Sequence, residues 1–169
     1  MERLNLGAGN YPLDGWHNID LPECDLRRHP WPWDDKSIDE INASHVLEHF
    51  TRAEAFLFLL QCYRILKPGG WLHVAVPDMD KFIDAHLTGN FVPLGGYHWT
   101  DLNHFMGGDE SETNVAQRHR YMWCHASLAW TLDLVGFVNI GRRTIIQGYD
   151  TITHAHITLY MEAQKPHDD

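Results

Sequence analysis

Three sets of residues have types and spacings that could do chemistry. Leu4-Asn5-Leu6-Gly7-Ala8-Gly9-Asn10 runs an apolar stretch straight into a glycine turn, where a ligand can approach the main chain because no Cβ intrudes. Eleven residues beyond Gly9, Asp20 closes Gly15-Trp16-His17-Asn18-Ile19-Asp20, and an acid ending a second strand is placed to hold a ribose hydroxyl pair. The third set can move protons. It comprises His45, Asp78 after an apolar run, and His104 and His119 in a later stretch rich in histidine and aromatics. Imidazoles change charge between about pH 5 and 8, the range a general base needs.

The segment between the glycine turn and Asp20 narrows the ligand. It reads Asn10-Tyr11-Pro12-Leu13-Asp14-Gly15, with a proline and a glycine where a dinucleotide site requires a long helix whose N-terminus faces a pyrophosphate. That helix is expected to be short. A ligand with an adenosine but no phosphate, such as S-adenosylmethionine, needs the helix dipole less and suits a Gly-x-Gly without the third glycine of the dinucleotide fingerprint.

Composition bounds the rest. The chain has 169 residues, enough for one domain with a real core and too few for a separate substrate domain. A net charge of -10 argues against nucleic acid as a partner, because binding to phosphates depends on displacing counterions with lysine and arginine. No stretch reaches the ~20 apolar residues of a membrane span, and no signal-peptide pattern precedes the first strand, so a cytoplasmic protein without a membrane partner is expected. Cys24, Cys62 and Cys124 are far apart with no C-x-x-C, which suggests neither a disulfide framework nor a thiolate zinc site.

The elements that must position these groups are legible as alternating strands and helices. Arg3 to Leu6, Trp16 to Ile19 and Ile38 to Ala43 read as strands. From Arg52 to Leu66, Ala55, Phe56, Leu59, Leu60, Tyr63 and Leu66 recur at helical spacing, and Lys67-Pro68-Gly69-Gly70 is expected to stop the helix in a turn. Trp71 to Asp78 is a nearly continuous apolar run, as in a strand buried on both faces. Residues 88–122 show little periodicity and are expected to form a lid or substrate loop. A helix is predicted from His125 to Val135, ending at Gly136, and two closing antiparallel strands around Phe137 to Ile146 and His156 to Ala163. This order implies a mostly parallel α/β sheet.

With the pieces in order, the sequence resembles the class I S-adenosylmethionine-dependent methyltransferases, in particular short members of the methyltransferase type 11 kind. The most specific stretches are Trp33-Asp34-Asp35-Lys36-Ser37-Ile38-Asp39-Glu40-Ile41, then Ser44-His45-Val46-Leu47-Glu48-His49, then Tyr63-Arg64-Ile65-Leu66-Lys67-Pro68-Gly69-Gly70. The resemblance implies a Rossmann-like class I fold: a single domain over 1–169, helices on both faces, a C-terminal antiparallel hairpin and a shortened first helix. It implies that Leu6, Gly7, Ala8 and Gly9 lie against the methionine part of the cofactor and that Asp20 holds the ribose. Asp25 and Leu26 would meet the adenine, and Ser44 and His45 would close the floor near the sulfonium. Trp31 and Trp33 are expected to pack under the adenine loop. The acid that often precedes the glycine turn is here Asn5 or Leu4, so the cofactor's ammonium group needs another partner, with Asp101 a candidate.

Methyl transfer from a sulfonium is an in-line displacement, so the enzyme must mainly align the acceptor and remove its proton. His45 and His119 are the expected catalytic residues, and Asp78, His104, Arg120 and Tyr121 the expected substrate residues. His45, Glu48 and His49, at i, i+3 and i+4, invite a metal, but His45 is expected to precede the helix and the resemblance accounts for the cluster, so no metal is expected. The function implied is O- or N-methylation of a small molecule. Two other readings stand beside it: a silent S-adenosylmethionine-binding protein, and an enzyme using S-adenosylmethionine otherwise, as in its cleavage. The acceptor and the oligomeric state, a homodimer included, stay open.

Overall fold

Local chemistry sets where each helix starts and stops. In the computed structural model, which describes residues 1–89, 93–94, 97–98, 118–145 and 152–168, helix α1 spans Arg52–Ile65. Its N-cap Thr51 accepts from Glu54 N–H while Glu54 returns to Thr51 N–H at 2.7 Å, the reciprocal pairing that satisfies two orphan donors. At its other end Lys165 Nζ donates to the carbonyls of Tyr63 and Leu66 at 2.6 and 2.7 Å. Helix α2 spans Met79–Thr88, capped by the Asp78 side chain and ended by Gly89 at φ 68°. Helix α3 spans His125–Val135 and stops at Gly136, φ 108°, a left-handed conformation that glycine adopts without strain.

Six strands form one sheet: β1 (Arg3–Leu6), β2 (His17–Ile19), β3 (Ile38–Ser44), β4 (Leu66–Pro77), β7 (Val138–Arg142) and β8 (Thr158–Gln164), in the order β2-β1-β3-β4-β8-β7. The first four are parallel neighbours, and β8 runs antiparallel to both β4 and β7. A separate two-stranded pair joins β5 (Pro93–Leu94) to β6 (Tyr97–His98). Strand β4 begins directly at Leu66, where a turn was expected. The Lys67-Pro68-Gly69-Gly70 stretch pairs instead with the C-terminal segment, Gly69 N–H donating to Lys165 O and Lys165 N–H to Gly70 O at 2.9 Å each.

Register assigns the two faces. Leu4, Leu6, Ile41, Ala43, Leu72, Val74, Met161 and Ala163 share one face by pairing and alternation, and they join the buried cluster with Phe58, Leu59 and Cys62 of α1 and Leu128 and Leu132 of α3. Each fully buried large side chain there contributes roughly 1.5–3 kcal/mol. The opposite face carries a polar row, Asn18-Asn5-Asn42-His73-Glu162, one residue from each of five adjacent strands. Among the described residues the α1 and α3 layer lies on the apolar face, and this polar row is not a surface that an apolar helix layer would bury.

The asparagines explain what happens to the first helix. Asn42 Nδ2 donates to Asn5 Oδ1 and Asn5 Nδ2 to Asn18 Oδ1, both at 2.9 Å. Asn5 also reaches Tyr11 O, and Asn18 holds Leu13 N–H, Leu13 O and Trp16 O, so asparagine side chains hold these backbone groups. The helix expected to be short is absent between β1 and β2, its place taken by turns.

Candidate functional site

The C-terminal ends of β1, β2, β3 and β4 meet along one edge, where open α/β sheets bind ligands. Gly7 and Gly9 leave β1 with φ of 68° and 50°. A Cβ on Gly7 would lie 2.5 Å from Val46 Cγ2, so glycine is required both by the backbone and by the close approach of the turn after β3. The two cofactor-side loops are tied through one carboxylate: Asp20 Oδ2 accepts Gly9 N–H at 2.7 Å and Oδ1 accepts Leu21 N–H at 2.8 Å. Asp20 is exposed, and each oxygen keeps a further acceptor site. Ala8 is buried and its N–H donates to Ile19 O at 3.0 Å. The turn thus spends Ala8 and Gly9 N–H groups on the neighbouring strand and on Asp20.

The next loop is built inward. Asp25 forms its own turn, Oδ1 accepting Arg27 N–H at 3.1 Å and Oδ2 facing Arg28 Nε at 3.3 Å. Leu26 is buried and its carbonyl accepts from Trp31 Nε1 at 3.3 Å. Trp31 meets Phe58 and Trp33 edge-on at 5.0 and 6.0 Å, which places both tryptophans in or against the core under this loop.

At the end of β3 the chain departs from relaxed geometry. His45 takes φ 56°, a left-handed conformation that is uncommon for a residue with a Cβ and concentrates at functional sites. Its N–H donates to Ala75 O at 2.8 Å. One ring nitrogen lies 3.2 Å from Glu48 Oε1 and the other 3.3 Å from Thr158 Oγ1. Ser44 Oγ, one residue earlier, is buried without a hydrogen-bond partner.

Glu48 sits in the 3-10 turn Leu47–His49, buried to 2% exposure. Burial pushes its pKa up, but the His45 hydrogen bond and the charges of His45, His49 and His119 outweigh that and hold it below the ordinary value. The segment carrying His119 is clamped to this turn. Arg120 N–H and Tyr121 N–H both donate to Glu48 O, at 2.7 and 3.3 Å, and the Arg120 guanidinium pairs with Glu54 at 3.1 Å. The His49 and His119 rings lie 5.3 Å apart.

Asp78 ends β4 as expected, but it is 1% exposed, caps α2 through Asp80 N–H at 3.2 Å and faces Arg142 at 3.4 Å. Tyr121 packs edge-on against Trp123 at 4.6 Å. The structure therefore gathers Gly7, Gly9 and Asp20 at one mouth and His45, Glu48, His49 and His119 at another, while Asp78 serves as a cap. His104, Asp101 and most of the stretch 88–122 lie outside the described residues. From the sequence alone Glu48 figures only as a metal ligand beside His45 and His49, a role set aside there, and neither the asparagine row nor Thr158 is noticed; Thr158 arrives 113 residues after His45 and has no local signal.

Residues 4–74 match the family model described as a methyltransferase domain. Over 85 residues, half of this chain, the sequence is 31% identical to a protein of Mycolicibacterium smegmatis named as a probable S-adenosylmethionine-dependent methyltransferase, and the match spans 30% of that relative's length. The fold is similar to that of an S-adenosylmethionine-dependent methyltransferase from Archaeoglobus fulgidus, with a TM-score of 0.58 at 13% identity, covering 97% of this chain and 86% of the other. It is likewise similar to human N-acetylserotonin methyltransferase, solved in complex with S-adenosylmethionine, with a TM-score of 0.60 at 17% identity, covering 97% and 47% of the two chains. The class I fold expected from the sequence is thus the one adopted, with its C-terminal antiparallel strands.

Proposed function

We infer that this chain is an S-adenosylmethionine-dependent methyltransferase acting on a small-molecule oxygen or nitrogen. The observation that carries the reading is Asp20, an exposed carboxylate just after β2, fixed by Gly9 N–H at 2.7 Å beside a glycine turn in which Gly7 has no room for a Cβ. Its remaining lone pairs fit two ribose hydroxyls. Bound there, S-adenosylmethionine supplies a methyl group on a sulfonium that is already activated for displacement.

The chain's own residues do the rest. Leu6, Gly7, Ala8 and Gly9 border the methionine side, and Asp25 and Leu26 the adenine side. Asp25 reaches an adenine amino group only by sharing an oxygen that its own turn already uses. Asn5 is occupied by Asn42, Asn18 and Tyr11, so it does not replace the missing acid at the cofactor's ammonium group. Ser44 and His45 close the floor at the end of β3, and His45 or His119 takes the acceptor's proton. Ionised Glu48 favours the imidazolium that results. Arg120 and Tyr121 hold His119 in place. The whole chain, 1–169, acts as one domain. The net charge of -10 supports a small acceptor over nucleic acid. No described helix is long and apolar enough to cross a membrane, in keeping with a cytoplasmic reaction.

Calorimetry with S-adenosylmethionine and S-adenosylhomocysteine tests the reading, followed by release of S-adenosylhomocysteine against a panel of hydroxylated and amine acceptors. Binding of both ligands with turnover on a panel member is expected. Binding with no turnover on any acceptor makes the chain a silent cofactor binder, and no binding removes the proposal.

A further inference from the structure

Glu48, His49 and His119 each offer one ligand atom, and the three atoms lie within 4.8 Å of one another. Two observations set this group apart from a chance meeting of polar side chains. Glu48 Oε1 is engaged by His45, whereas Oε2 is buried with no hydrogen-bond partner. A buried carboxylate oxygen without a donor costs free energy that a cation would recover. In addition, His49 Nδ1–H donates to the Arg118 carbonyl at 3.4 Å, a long contact that nonetheless selects the tautomer leaving Nε2 a lone pair, as in histidines that ligate metals. His119 is delivered by the backbone clamp of Arg120 and Tyr121 on Glu48 O.

We propose that Glu48, His49 and His119 form a site for one divalent transition metal of the zinc class, with His45 as a positioning residue for the Glu48 carboxylate. Two imidazoles and one carboxylate match the three-ligand sets that zinc uses when a fourth position stays open for water or substrate. Magnesium takes oxygen ligands and keeps its own waters, so the imidazoles disfavour it. Ligand bonds of about 2.0–2.2 Å place tetrahedral ligands roughly 3.4 Å apart, so the rings must rotate inward from the present spacing. His49 and His119 are half-buried rather than locked in the core. At the open position a metal-bound hydroxyl would lose its proton more readily than a free one. The inference stands on these side chains alone and is independent of the methyl donor; with the metal bound, His119 is a ligand and His45 alone serves as the base.

The test is titration of the full chain with Zn2+ alone by calorimetry and with Co2+ alone by visible absorption. One Zn2+ per chain is expected, together with the intense Co2+ bands of a four-coordinate site. His119→Ala and His49→Ala should each weaken Zn2+ at least tenfold at unchanged melting temperature without metal, and His86→Ala, on the exposed end of α2, should leave affinity unchanged. Glu48→Gln should also lose binding; the two histidine variants keep the test decisive if that buried change prevents folding. Absence of saturable Zn2+ binding, affinity untouched in both His119→Ala and His49→Ala, or a six-coordinate Co2+ spectrum each overturns the proposal.

Discussion

Asp20→Ala is the perturbation with the sharpest consequences. The substitution removes the acceptor of Gly9 N–H at 2.7 Å and Leu21 N–H at 2.8 Å together with the two sites left for ribose hydroxyls. A hydrogen bond to a charged group is worth about 1.5–3 kcal/mol, and because Asp20 is exposed the lower part of that range applies. Losing the ribose contacts should therefore cost about 2 kcal/mol of ligand binding, roughly a thirtyfold rise in Kd for both S-adenosylmethionine and S-adenosylhomocysteine. Asp20→Asn, which keeps one carbonyl oxygen, should fall between, at about fivefold. Calorimetry on the two variants gives the affinities, and thermal melts separate a loosened loop from a lost contact. A 2′-deoxy analogue of S-adenosylhomocysteine completes the cycle: it should bind wild type more weakly than the parent ligand, and the Asp20→Ala protein about equally. If Asp20→Ala binds both natural ligands within threefold of wild type, the ribose assignment fails and the glycine turn holds something else.

Three further perturbations probe the scaffold. Gly7→Ala should lower both melting temperature and ligand affinity, since φ 68° and the approach to Val46 together cost about 1–3 kcal/mol; a variant melting like wild type would show that Val46 yields. Phe58→Ala, in the fully buried cluster against Trp31 and Phe50, should lose about 3–5 kcal/mol in denaturant unfolding, and a loss below 1 kcal/mol would mean that the core collapses onto the gap. For His73, burial pushes the pKa below the ordinary value more strongly than the Glu40 hydrogen bond raises it, with Arg143 also lowering and Glu162 raising it. A depressed folded pKa means that the unfolded chain binds the proton first, so this contribution is present above about pH 6.5 and is lost as pH falls through the folded value. Melts between pH 5 and 8 should show a steeper acid-side loss in wild type than in His73→Gln, and parallel profiles would remove His73 as the source.

Periodicity and local chemistry made much of this fold readable. Helix α3 begins and ends where the apolar spacing and Gly136 place it, and β1, β3 and α1 differ from their predicted bounds by one residue at most. Two local expectations failed for one reason: distant residues satisfied the backbone. The glycines after α1 read as a turn, yet Lys165 pairs with them and extends β4. The first helix read as shortened, yet Asn5 and Asn18 hold its residues in turns, with Asn42 bonded to Asn5 behind them. Asp78 read as a site acid, yet Arg142 and the start of α2 consume it.

The sequence by itself determined the strand-turn of Gly7-Ala8-Gly9, the distance to Asp20, and hence the kind of ligand edge this sheet offers. All of these rest on neighbours along the chain, whose φ preferences and spacing need no tertiary partner. Only the tertiary structure decided which acids and histidines act together. Glu48 and His119 are 71 positions apart and meet because Arg120 N–H and Tyr121 N–H close on a single carbonyl. His45, Glu48 and His49 share a local spacing that the sequence shows, but no local pattern encodes the approach of His119, so its place in the cluster became visible only once the chain was folded.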